Sequence, residues 1–118
     1  MRARRLWLPC LLSACFLFTV SSHAQNAPKP RKRVIIAITG MDYSPSIVTV
    51  NMGDEVVWVN KDVVPHTVTD AKGSWNLGDL QPKQFQGYFF NSSGSYEYIC
   101  KYHPGMKGRV IVSGAATK

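Results

Sequence analysis

From Val34 onward the apolar positions come in short runs, none of them showing a sustained helical period. Residues 33–39 (RVIIAIT) and 46–51 (SIVTVN) are rich in β-branched side chains, which suit a pleated, half-buried surface. Gly53-Asp54 forms a turn into residues 55–60 (EVVWVN), and 66–69 is a short β-prone run. Residues 84–90 (QFQGYFF), 95–99 (SYEYI) and 108–112 (GRVIV) complete the series. Gly, Pro, Asn or Asp stands in nearly every gap, as at Gly40, Pro45, Gly73, Pro82, Gly94 and Pro104-Gly105. This spacing predicts an all-β fold, a sandwich or barrel of about seven or eight strands. The alternation is too imperfect to assign register.

The N-terminus follows a different pattern. A basic start (Met1 to Arg5) precedes an apolar run from Leu6 to Val20, and Ser22 and Ala24 supply small residues after it. That is the plan of a secretory signal over 1–24, cleaved after Ala24. The run is shorter than the roughly 20 residues a spanning helix needs, so no membrane span is expected. Leu12-Ser-Ala-Cys15 resembles a lipoprotein cleavage box, but Phe16, Leu17 and Phe18 continue the apolar run and favour the uninterrupted signal. Arg4-Arg5 is a weak twin-arginine cue. Residues 25–33, with two prolines and no apolar period, are expected to form a basic linker, 34–113 the domain, and 114–118 a tail.

Charge changes once the leader is set aside. The 118-residue chain carries +7; Arg2, Arg4 and Arg5 leave with the leader, and +4 remains. Lys29, Arg31, Lys32 and Arg33 account for that remainder, so the body from Val34 is neutral. A nucleic-acid reader would carry its charge on the folded face, and that class is excluded.

Cysteine and histidine narrow the choice further. Cys10, Cys15 and His23 lie in the leader, which leaves Cys100, His66 and His103. No intramolecular disulfide is possible, and a lone thiol in an oxidising compartment is safe only if it is buried or occupied. Cys100, His103 and Met106 stand three apart in a Pro-Gly loop between two predicted strands, where one curl can aim all three inward. His66 follows Pro65 at the start of another strand. Two imidazoles, a thiolate and a thioether make the set for a trigonal His₂Cys site with a weak axial Met, the pattern of an electron-transfer copper centre. Singly, each has a plainer reading: a small buried hydrophobe for Cys, core filler for Met, a hydrogen-bonded structural residue for His. The case rests on their coincidence.

Cys-x₂-His-x₂-Met followed by KGRVIV, with PHTV upstream and GDEVVWVNKD before it, resembles the cupredoxins of the plastocyanin and amicyanin group, and the His-to-Met spacing resembles amicyanin. The similarity spans about residues 34–112. It implies a Greek-key β-sandwich holding one type 1 copper on His66, Cys100, His103 and Met106, a monomer shuttling electrons in the periplasm. It also implies that redox partners dock on an apolar patch where the second His reaches the surface, here Pro65, Pro104 and Gly105, with Lys101 and Lys107 nearby. Thr67 departs from the pattern, since the family commonly has Asn there to tie the two ligand loops. No histidine is left for a multicopper enzyme, so a non-enzyme is expected. Zinc is disfavoured because Met is a poor fourth ligand. A periplasmic copper carrier using the same ligands is the alternative, although Met41 and Met52 form no cluster with a His.

Overall fold

A computed structural model describes residues 31–114. Nine strands occur among them and no helix: β1 Arg33–Thr39, β2 Asp42–Ser44, β3 Ile47–Asn51, β4 Glu55–Asn60, β5 His66–Asp70, β6 Asn76–Leu80, β7 Phe85–Phe89, β8 Gly94–Ile99 and β9 Lys107–Ser113. The leader, the linker up to residue 30 and the tail from 115 lie outside the described residues. Arg33, where the expected linker meets the first β-rich run, opens β1. Its guanidinium meets the Glu55 carboxylate at 2.7 Å, and the Lys32 N–H donates to Asp54 at 3.0 Å.

The strands form two sheets, in the orders β2-β1-β4-β7 and β3-β9-β8-β5-β6. β1 runs parallel to β4 and β3 parallel to β9, and the other pairings are antiparallel. The chain passes repeatedly from one sheet to the other, so each sheet carries its apolar face to the same core, as in sandwiches generally. β9 shows the alternation most plainly: Gly108, Val110 and Val112 face inward and the residues between them are exposed. Ile36, Ile38, Val56 and Trp58 meet them from the other sheet. No helix among the described residues is long and apolar enough to cross a membrane.

The count exceeds the expected seven or eight because β2 and β6 do not look like strands. β2 is three residues between a turn and a proline, and is fastened by one buried side chain, Tyr43. β6 (NLGDL) has the composition of a turn, and Gly78 within it has φ +76°. Its pairing with β5 carries an irregularity, since Thr67 faces Asp79 while Thr69 faces Asn76.

Candidate metal centre

His66 opens β5 and is fully buried. Its Nε2 stands 2.9 Å from Asp62 Oδ2. A carboxylate only accepts, so the ring proton sits on Nε2 and the Nδ1 lone pair faces inward. Asp62 is itself held by the β1–β2 hairpin. Gly40 and Met41 have φ of 59° and 63°, a two-residue turn of the mirror-image kind, and their N–H groups donate to the carboxylate at 2.8 and 3.0 Å. Burial alone would raise the Asp62 pKa, but the N–H groups of Met41 and Gly40 and the His66 ring outweigh it and hold the carboxyl below its ordinary value.

The segment carrying Asp62 is fixed by Asn60, the last residue of β4 and fully buried. Its amide donates to the carbonyls of Val64 and Leu80, both at 2.8 Å, and its carbonyl accepts from the Asp62 N–H at 2.9 Å. The bend between Trp58 and His66 is therefore built from inside the core.

Cys100 follows β8 and is fully buried. Its Sγ lies 3.8 Å from Nδ1 of His66 and 3.8 Å from Nδ1 of His103. One donor atom from each of the three residues falls within 4.8 Å of the other two, the only such His, Cys, Asp or Glu cluster among the described residues. The ligand loop closes on itself: Met106 N–H donates to the His103 carbonyl at 2.8 Å, and Cys100 N–H to the Met106 carbonyl at 3.2 Å. Met106 is buried, and His103 is partly exposed. The fit to a soft metal ion follows from this donor set: a buried thiol with no disulfide partner faces two imidazole nitrogens, one with its other nitrogen already committed. Donors that each bond one ion at roughly 2.0–2.3 Å come about this far apart.

Thr67 carries more contacts than its size suggests. Its N–H points at Cys100 Sγ (3.4 Å), its carbonyl accepts from the buried Tyr43 hydroxyl (2.6 Å), and its Oγ1 accepts from the Lys101 N–H (2.8 Å). The tie between the two ligand segments is thus present, made by a hydroxyl in place of an amide. Burial, with Cys100 and Tyr98 alongside, pushes the Tyr43 phenol far above its ordinary pKa.

At this end of the sandwich Pro65, Pro104, Gly105, Lys101 and Lys107 are exposed, as are Val63 (90%) and Tyr102 (50%). The Tyr102 hydroxyl donates to Asp79 at 2.5 Å, a bond that raises the phenol's pKa. Of the four side chains that the sequence singled out, His66, Cys100 and His103 come together here, while Met106 is buried in the same loop with its backbone bonded to Cys100 and His103. Asp62, Asn60 and Tyr43 were missed. A strand ending in Asn and followed by Lys-Asp was the available signal for the first two; Tyr43 had none.

The family model of the cupredoxin-like domain matches residues 10–112. Amicyanin of Paracoccus versutus is 40% identical over 91 residues, covering 73% of this chain and 69% of that protein. Amicyanin-alpha of Methylorubrum extorquens is 36% identical over 93 residues, 75% of this chain and 76% of that one. A solved structure of a proline-to-alanine variant of amicyanin in its oxidised state superimposes with a TM-score of 0.66 at 28% identity, covering 69% of this chain and 82% of its own. The chain therefore belongs to the cupredoxin-like family, whose members bind one type 1 copper, and His66, Cys100 and His103 stand together as a site of that kind.

Proposed function

We propose that the chain is an exported blue copper protein that takes one copper on His66, Cys100, His103 and Met106 and passes single electrons between larger redox partners. The observation that carries this reading is the convergence of buried Cys100 Sγ with the Nδ1 atoms of His66 and His103. When bound, copper supplies a one-electron couple between Cu(I) and Cu(II). The chain supplies a fixed donor set. Asp62 holds the His66 ring and its tautomer, the Thr67 N–H stabilises charge on the sulfur, and hydrogen bonds across the ligand loop limit rearrangement. Met106, buried in the same loop, would complete the set with a weak thioether donor.

Electrons leave through His103, the ligand that is not fully buried, and partners seat on Pro65, Pro104 and Gly105. The body is neutral, so steering is weak and contact is mainly apolar. Residues 1–24 direct export to the periplasm, where the chain acts as a monomer and without catalysing a reaction of its own. The carrier alternative is less well supported, because a delivery site needs access and both His66 and Cys100 are fully buried.

Reduction of the copper-loaded chain in the presence of a Cu(I) chelator separates the two readings. A shuttle keeps its copper through repeated one-electron cycles; release of copper on reduction would establish the carrier and overturn the proposal.

A further inference from the structure

The hydroxyl of Thr67 does not end at the ligand loop. Thr67 Oγ1 is 3.1 Å from Thr69 Oγ1, and Thr69 Oγ1 donates to Asn76 Oδ1 at 3.1 Å. Asn76 Oδ1 also accepts from the Gly78 N–H at 2.9 Å. The direction of every bond is determined. An amide oxygen only accepts, so the Thr69 proton points at Asn76. Thr69 can then only accept from Thr67, and the Thr67 lone pair receives the Lys101 N–H. Bonds aligned this way polarise one another.

The β5–β6 irregularity makes this possible. Thr67 faces Asp79 and Thr69 faces Asn76, so two steps along β5 are matched by three along β6. The extra residue is accommodated at Gly78, with its positive φ, and Asn76 is thereby placed opposite Thr69. Both threonines are buried, at 2% and 6% exposure, while Asn76 lies on the exposed edge strand. The same edge holds the ligand loop a second time, through Tyr102 and Asp79.

We propose that Thr69 and Asn76 are positioning residues for the metal centre, acting through Thr67 to fix the backbone on both sides of the Cys100 sulfur. The sulfur receives the Thr67 N–H, and the peptide that follows it, ending in the Lys101 N–H, is held by the Thr67 hydroxyl. Hydrogen bonding around the Cys sulfur tunes the potential of such a site. Edge strand β6 therefore sets how firmly the thiolate is held, although Asn76 itself lies at the surface. This inference rests on the ligand assignment proposed above, and its first test does not.

The test compares Thr69→Val and Asn76→Ala with Thr69→Ser in the full chain. Thr69→Val keeps the shape and removes the hydroxyl; Asn76→Ala lies on the surface and leaves the core untouched; Thr69→Ser keeps the relay. In the copper-free protein, amide hydrogen exchange at Lys101 should quicken about 3–10-fold in the first two variants, the range expected for losing one net hydrogen bond. It should stay near wild type in Thr69→Ser. Unchanged exchange at Lys101 in both disruptive variants would overturn the relay whether or not copper binds. In the copper-loaded protein the midpoint potential should shift in Thr69→Val and return in Thr69→Ser. A constant potential with faster Lys101 exchange would reduce the relay to a structural brace and overturn the positioning role.

Discussion

Asp62 Oδ2 and His66 Nε2 stand 2.9 Å apart, and this one bond decides which nitrogen of a buried imidazole faces the Cys100 sulfur. The carboxylate is steadied by two N–H groups from a left-handed hairpin turn on β1–β2. A turn in one part of the chain thus sets the tautomer of a side chain more than twenty residues away. Replacing Asp62 by Ala should lower copper affinity by roughly 10–100-fold, the usual cost of losing a partner that orients a ligand. Asp62→Asn, whose amide oxygen can still accept, should lose less. Competition titration against a copper chelator measures both, and an Asp62→Ala affinity equal to wild type would contradict this role.

The docking surface is tested by electron self-exchange between two copies, followed by NMR line broadening in mixtures of the oxidised and reduced protein. Pro104→Glu places a charge beside His103 on each copy. Exchange should slow by about tenfold or more, since like charges now meet at the contact, with the copper spectrum unaltered. Undiminished exchange would move the docking site elsewhere.

Gly108 lies opposite Tyr98 in the β8–β9 ladder, and a methyl group there would fall within the van der Waals envelope of the phenol ring. That ring cannot yield, because Tyr43 and Trp58 pack on it at centroid distances of 4.7 and 5.2 Å. Gly108→Ala should therefore cost about 3 kcal/mol, the upper end for overpacking. Chemical denaturation reads it directly.

Acid should weaken the fold partly through Asp70. Burial tends to raise its pKa, but hydrogen bonds from Ser74 and from the Lys72 backbone, with the Lys72 charge, bring it below the ordinary carboxylate value. A group with a depressed folded pKa adds stability that is complete above its unfolded pKa and is lost as pH falls through the folded one. Stability should thus be flat near neutrality and decline below about pH 4. In Asp70→Asn the protein should be less stable at pH 7, and the gap to wild type should close on acidification. Thermal melts from pH 7 to pH 3 provide the comparison.

The fold and the candidate site differ in how legible they were. The seven strands expected were those with β-branched or aromatic runs, and all seven exist. β2 and β6 were hidden because tertiary contacts make them strands: Tyr43 fastens one, and pairing across an irregular register makes the other. Register was beyond reach in β4, where Val57 faces outward yet is 7% exposed because it lies between Ile35 and Gly87 on neighbouring strands. His66, Cys100, His103 and Met106 were legible because rare residue types recurred at short spacing. Asp62, Asn60, Thr69 and Asn76 were not, since common polar residues announce a supporting role only once the chain has brought them together. Thr67 was noticed as a departure, and the structure shows how a hydroxyl makes the tie instead.

The central claim, that one copper sits on a buried thiolate between two imidazoles, is most directly tested by loading the purified chain with one equivalent of Cu(II) and recording its visible and electron paramagnetic spectra. An intense thiolate-to-copper band with narrow copper hyperfine splitting, both lost in Cys100→Ser, is the expected result. A pale solution with the wide splitting of ordinary tetragonal Cu(II), unchanged in Cys100→Ser, would contradict it.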